Sequence, residues 1–300
     1  MYIIRHRTFF FWLTGLILAA AIGAIVVFGL PLGLDFTGGS LIQVNYQGAR
    51  PALSDIQKEI STAYASPASV RELGANGISI RTRNTTPAEH DAILAAISQN
   101  ASTTELSSTS VGPALGSQFT NKAIWALLAV VLVIVLYIGF AFRKVPGRVP
   151  GWAYGLTVVA MLAIDIIVPT GFYAAYCHFT GAEVDSLFIV ALLSLLGYCV
   201  NDVIVIFDRI REHLIKNGKT GLKESFEDTI GKSINETMAR SINTALTVAL
   251  ALLSLIFFGA AATRTFALVM LVGVVAGTFS SICRSAPLLI PIASWFTKKK

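Results

Sequence analysis

The sequence predicts a polytopic α-helical membrane protein: six transmembrane helices, with a small α+β domain inserted between the first and the second. Three observations predict it. The 300 residues are 54% hydrophobic and only 13% charged, with a mean hydropathy of +0.69, whereas soluble proteins are about 45–50% apolar even with glycine counted. Apolar runs long enough to cross a bilayer recur along the chain, since about 20 residues at 1.5 Å each cover the roughly 30 Å hydrocarbon core. One internal stretch, residues 36–120, breaks that pattern: it is polar, rich in Ser, Thr and Ala, and holds no spanning segment.

The elements follow in order. Arg5, His6 and Arg7 precede an apolar run over residues 9–34. That run is too long for a signal-peptide core and lacks a clear small-residue cleavage site, so it is expected to stay as the first span. Pro31 and Gly33 break the helix, and Asp35 with the Gly38-Gly39 pair makes a turn. The order expected next is strand 39–47, helix 52–65, strand 68–74, strand 77–83, helix 87–99, strand 103–111. Asn76-Gly77 is a hairpin signal, and Pro51 and Pro87 sit where helices begin. A β-α-β-β-α-β order is the ferredoxin-like split motif. The apolar pattern then resumes in span two (124–142), which stops at Arg143, Lys144 and Arg148, and span three (152–177), which contains Asp165. Span four occupies the apolar part of 186–212, span five 242–258, and span six runs from 266 to about 282 or further. Residues 208–235 read as a soluble segment dense in both charge signs. The expected divisions are 1–35 (N-terminus and first span), 36–120 (small domain) and 121–300 (remaining spans).

Basic clusters lie at the N-terminus, between spans two and three, between spans four and five, and at the C-terminus. All four fall on one side if the spans alternate. Positive-inside then puts both termini in the cytoplasm and the small domain outside. The net charge of +6 is thus a topology signal rather than a nucleic-acid footprint. Cys177, Cys199 and Cys283 lie in or beside apolar runs without C-x-x-C spacing, which argues against a disulfide framework or a zinc site. The four histidines lack metal-ligand spacing, and no nucleotide-binding or hydrolase motif occurs. No cofactor, metal or enzymatic activity is expected. Any work must draw on another source, and a transmembrane proton gradient is the obvious one.

The stretch SLFIVALLSLLGYCVNDVIVIFDRIRE, residues 186–212, is the organising one. A carboxyl inside a membrane helix costs about 2.5–3.5 kcal/mol on insertion scales, so Asp202 has a use or else lies in the interface as a wetted charge. Asn201 beside it could supply a neutral hydrogen bond. Burial disfavours the charged form of a carboxyl, and a nearby cation or water favours it; that swing suits a proton carrier. Asp165 lies about 21 Å into span three by helical rise. It is a proton-binding carboxyl or a static hydrogen-bonding residue between helices. Arg240, amid Asn235, Thr237, Ser241, Asn243, Thr244 and Thr247, opens span five. It pairs with Asp202, or it snorkels to anchor the span. Asp208 with Arg211, and Arg209 with Glu212, can pair at three residues, as on a solvated helix end. Arg284 reads as an interfacial residue of no assigned role.

Four stretches carry a resemblance over nearly the whole chain: LGLDFTGGSLIQV, VGPALGSQF, LLGYCVNDVIVIFDRIRE and INETMARSINTALT, with GTFSSI a weaker fifth. Together, in this order, the chain resembles the SecF family of bacterial protein-export subunits, within the RND superfamily. The resemblance implies a six-span subunit that pairs with SecD, associates with the SecYEG channel and often YajC, and uses the proton-motive force to help draw preproteins across the plasma membrane at a late stage. It implies that the small domain is the family's periplasmic domain, which handles the preprotein. SecD is then expected as a separate chain. The family's span-four aspartate falls on Asp202, its arginine at the head of span five on Arg240, and its span-three aspartate on Asp165. Ile164 stands where the family often has histidine, and Arg284 stands where it is usually apolar. Two other classes compete. A small-solute RND exporter would need larger outer domains and usually twelve spans, so this chain could be only a fragment of one. An intramembrane aspartyl protease would carry a G-x-G-D motif, where this chain has GYCVND, and would hold its two acids at one level.

Overall fold

The computed structural model describes residues 2–99, 101–143, 150–220, 224–260 and 263–297. The basic groups Lys144 and Arg148, and the terminal Lys298, Lys299 and Lys300, lie outside the described residues. The chain separates into two compact units, residues 1–31 with 125–300, and residues 32–124.

The smaller unit begins with α3 (Leu34–Thr37), a single turn. Then come β1 (Gly39–Tyr46), α4 (Leu53–Ala63), β2 (Ser69–Leu73), β3 (Gly77–Thr82), α5 (Pro87–Ile97) and β4 (Thr103–Val111). The strands pair antiparallel in the order β2-β3-β1-β4, which is the ferredoxin-like arrangement. Alternation builds the core. Ile42, Val44 and Tyr46 of β1 and Ile78 and Ile80 of β3 point to one face, where Ile56 and Ile60 of α4 and Ile93 and Ile97 of α5 close over them. The edge strand β4, TTELSSTSV, is exposed through its middle, which suits a polar sequence on a strand paired on one side only. A capping box starts α5: Glu89's backbone N–H donates to the Thr86 hydroxyl, and Thr86's backbone N–H donates to the Glu89 carboxylate at 2.7 Å. The expected strands and helices are all present, with ends shifted by at most two residues. The β2–β3 connection differs in detail: Gly74, with φ +65°, is its left-handed residue, and Gly77 already belongs to β3.

The larger unit is helical. It comprises α1 (Tyr2–Arg5), α2 (Arg7–Phe28), most of α6 (Pro113–Ala141), α7 (Gly151–Thr180), α8 (Ser186–Thr220), α9 (Phe226–Phe258), α10 (Arg264–Ser280), a π turn (Ser281–Ser285) and α11 (Ala286–Thr297). Six helices are long and apolar enough to span a membrane, the last running through the π turn. α7, α8 and the sixth helix form the packed centre; α2, α6 and α9 leave most of their apolar residues on the outside, as a helix facing lipid does. Gly171 lets α7 approach the backbone of α2 at Ala21, a small-residue contact of the kind that holds membrane helices together. Gly29, at φ +70°, ends α2 just before Pro31. The Val184 N–H donates to the Pro31 carbonyl at 2.8 Å. Near one end of the helices, Phe142, Tyr154 and Phe207 stack edge and face with centroids 5.3–5.9 Å apart.

Three boundaries differ from the sequence expectation, the first being that α2 ends at Phe28 rather than near residue 34. The charged stretch 208–235 is largely helical: α8 continues to Thr220 and α9 starts at Phe226. Local charge pairs sustain those polar turns, which the apolar pattern alone cannot reveal. α6 begins at Pro113, eleven residues before the apolar run. The sixth helix takes the further of the two ends that the sequence allows, because APLLIPIASW beyond the π turn is helical too.

Candidate functional site

Three charged side chains are buried among the described residues, and all three lie in the centre of the larger unit: Asp165, Asp202 and Arg284. Asp165 follows Met161 and Leu162 on the inward face of α7 and is 1% exposed. Asp202 lies three residues after Cys199 on α8, so both project from one face. Opposite Cys199 stands Gly277 of α10, where a side chain would strike the thiol and come within 4.0 Å of the Asp165 carboxyl carbon. A glycine there is what lets α7, α8 and α10 converge on one point.

The π turn completes the cluster. It places Ser281, Arg284 and Ser285 in the interior next to Ser280 of α10. The Arg284 guanidinium donates through Nη2 to the Ser280 hydroxyl, and that hydroxyl reaches Met161 Sδ at 3.6 Å. Ser281 returns its proton to the Gly277 carbonyl at 2.9 Å. From α9, Ser241 donates to Asp202 Oδ1. Both oxygens of Asp165, Oδ2 of Asp202 and Nε of Arg284 make no hydrogen bond. Asp165 faces Ser280, Arg284, Cys199 and, at longer range, Asp202.

The expected residues are therefore brought together only in part. Asp165 and Asp202 occupy one cluster, with Cys199 beside both. Asp202 is buried, not wetted. Its direct partner is Ser241, not Arg240: the preceding residue on a helix points about 100° away, and Arg240 is exposed. No ion pair joins Arg240 to Asp202, although the guanidinium's charge reaches that carboxyl through space. Arg240 instead lines an open groove with Tyr137, Asp208, Arg209 and Thr237. Asn201 is exposed, on the opposite side of α8 from the cluster. Asp208 pairs with Arg211 at 3.5 Å, and Arg209 with both Glu212 and Glu236. Glu236 also accepts from His213 at 3.0 Å. Those charges lock the polar ends of α8 and α9 together.

Arg284 is the largest correction, being 4% exposed rather than interfacial. Its signal was the apolar segment after it, which keeps residue 284 well inside a helix. Ser241 gave no signal of its own, being one hydroxyl among several in the polar turn that opens span five.

The second constellation lies in the smaller unit. Gly38 and Gly39 take φ +70° and +122°. A Cβ on Gly38 would lie 2.8 Å from Pro113 Cα, and one on Gly116 would lie 2.9 Å from Gly38 N and Phe36 O. Arg81 donates to the Thr37 hydroxyl and to the Leu32 carbonyl. Asp35, half-buried, sits in the turn of α3. The two glycines therefore allow a backbone-to-backbone contact between the entry to the sheet and the first turn of α6.

Fold and site together define a polytopic helical membrane protein with acids and a guanidinium buried at its centre, and with a split β-α-β domain between its first two spans. Residues 91–295 match the family of protein export membrane proteins described as SecD/SecF, C-terminal, and residues 23–49 match the SecD/SecF GG motif. The chain belongs to the SecD/SecF family. It is 35% identical to the protein translocase subunit SecF of Thermobaculum terrenum, over 99% of this chain and 94% of that one. It is also 35% identical to the SecF subunit of Sebaldella termitidis, over 96% and 90%. The crystal structure of SecDF, a translocon-associated membrane protein from Thermus thermophilus, superposes with a TM-score of 0.81 at 27% identity. That match covers all of this chain and 39% of the longer SecDF chain.

Proposed function

We infer that this chain is a SecF-type subunit of the Sec protein-export machinery and that it couples the proton-motive force to a late stage of preprotein movement. The observation that carries the coupling is the burial of Asp202 beside Ser241 at the centre of a bundle from this family. Proton exchange at Asp202 changes the charge held in the interior. The ionised carboxylate accepts from Ser241 and is drawn toward the outlying charge of Arg240, while the neutral acid loses that pull. Asp165 is the second carboxyl of the relay. One elementary charge moved through 100 mV releases about 2.3 kcal/mol, enough to bias helix packing between two arrangements.

In this reading the six spans lie in a bacterial plasma membrane with both termini cytoplasmic. Residues 36–120 form a periplasmic domain that handles the preprotein, entered through the Asp35, Gly38 and Gly39 turn. Residues 1–35 and 121–300 form the membrane part, where Asn201, Asp208 and Arg209 belong to the moving end of α8. SecD as a separate chain, the SecYEG channel and YajC are the partners. Similarity to SecF subunits over nearly the full chain supports these assignments. The test is export into inverted membrane vesicles containing Asp202→Asn at normal abundance. Stimulation by the proton gradient should vanish while gradient-independent export continues. Stimulation equal to that of the parent protein would end the reading.

A further inference from the structure

Two acids and one base are buried in the cluster, which poses a question of charge balance. An isolated charge in such surroundings is costly and is normally paired. Arg240 stands outside on the exposed side of α9, so Arg284 is the buried cation available. Asp165 and Arg284 line the same cavity of about 450 Å³, walled otherwise by Thr14 and by apolar residues of α2, α7 and α10 such as Ile17, Val168 and Phe279. Both unpartnered Asp165 oxygens and the unpartnered Arg284 Nε belong to this one site. The two side chains are not in direct ion-pair contact. Polar groups separated by more than about 3.5 Å commonly meet through water, and a bridging water here would find its polar partners in the two Asp165 oxygens and Arg284 Nε.

We propose that Arg284 is the resident counter-ion of Asp165 whenever that relay carboxyl is ionised, bridged to it by water at the polar end of this cavity, so that the ionised pair is internally neutral and Asp202 is left as the acid without a buried cation. The π turn is the device that makes this possible. It opens the helix after Ser280 and turns residue 284 inward, where Ser280 takes one guanidinium N–H and fixes the direction of the rest. Asp202 is held separately, by Ser241 from the opposite side. The proposal rests on the preceding reading only in giving Asp202 the exchanging role; the charge balance stands on its own.

The test compares single and paired substitutions in the full-length protein, measured as membrane abundance and thermal midpoint in detergent. Arg284→Met keeps length and removes charge. It leaves Asp165 unbalanced and should lower the midpoint by about 6–20 °C, the range for breaking one side of a buried ion pair. Arg284→Lys keeps the charge and should hold the midpoint closer to the parent than Met does; a purely packing role predicts the reverse order. Adding Asp165→Asn to Arg284→Met should recover at least half of the loss, whereas adding Asp202→Asn should not. If Arg284→Met alone fails to accumulate, recovery of the Asp165→Asn double variant reads the same coupling. No recovery in that double variant, equal recovery with Asp202→Asn, or Met outperforming Lys overturns the proposal. These outcomes are independent of export: an active Asp202→Asn protein would defeat the functional reading and leave the Asp165–Arg284 result unaffected.

Discussion

Gly38→Ala is the substitution whose effect can be worked most fully from the structure. Gly38 has φ +70°, and an alanine held in the left-handed region costs about 1–2 kcal/mol. Its new Cβ would sit 2.8 Å from Pro113 Cα and 3.1 Å from Pro113 N. Those are backbone atoms that cannot rotate away, so overpacking adds about 1–3 kcal/mol. The total is about 2–5 kcal/mol. Natural units hold about 0.05–0.15 kcal/mol per residue, so this is a large share of what a domain of this size has. At about 4–8 °C per kcal/mol, the unfolding midpoint of the small unit should fall by at least about 8 °C. The assay is limited proteolysis of the full-length protein in detergent on a temperature ramp, following cleavage within residues 36–120. Gly48→Ala is the control: it has no positive φ and nothing within 4 Å of the added carbon, so it should leave the midpoint unchanged or slightly raised. A Gly38→Ala midpoint within about 2 °C of the control would refute the claim that backbone crowding fixes this turn.

Two further outcomes follow from the same reasoning. Gly171→Ala should push α2 away from α7 and destabilise the membrane unit by about 1–3 kcal/mol, because its Cβ would lie 2.5 Å from Ala21 Cα, while Gly197→Ala, whose Cβ meets nothing within 4 Å, should not; detergent melting of the two variants separates them. In the small unit, the Thr86 backbone and hydroxyl hold the Glu89 carboxyl below its ordinary value of 4.5. A depressed carboxyl stabilises the fold above its unfolded pKa, and that contribution is lost as pH falls through the folded value. The acid side of the unit's stability profile should therefore fall less steeply in Glu89→Gln, and an unchanged slope would show that the capping box does not set it.

The small domain was legible because its signals are local. Alternation in GSLIQVNY, proline at the head of α5 and regular element lengths fix the order, and the β-α-β-β-α-β order matches a known four-stranded motif. The spans were legible by length and hydropathy. What escaped were features set by helix-to-helix geometry. The direction of Arg240 depends on which face of α9 meets α8, and a polar turn with residues on every side does not reveal that. Arg284 was misread because a charge near an apolar run suggests the run's end. In fact the helix continues for a dozen residues after a change of winding that hydropathy cannot register. Asp202 could be found because an acid interrupts an apolar pattern; Ser241, a common residue among other hydroxyls, carries no such contrast.

The winding change itself has a further consequence. A π turn is equivalent to an α-helix that has accommodated one supernumerary residue. Removing a single residue between Ser281 and Ser285 would let ordinary α winding close up. The residues after it would keep their facing, so Leu289, Ile290 and Ala293 would stay buried. The same deletion a few residues later, inside α11, has no slack winding to absorb it and would turn everything downstream by about 100°. A one-residue deletion in the π turn should therefore disturb the packing of the last helix far less than one within α11.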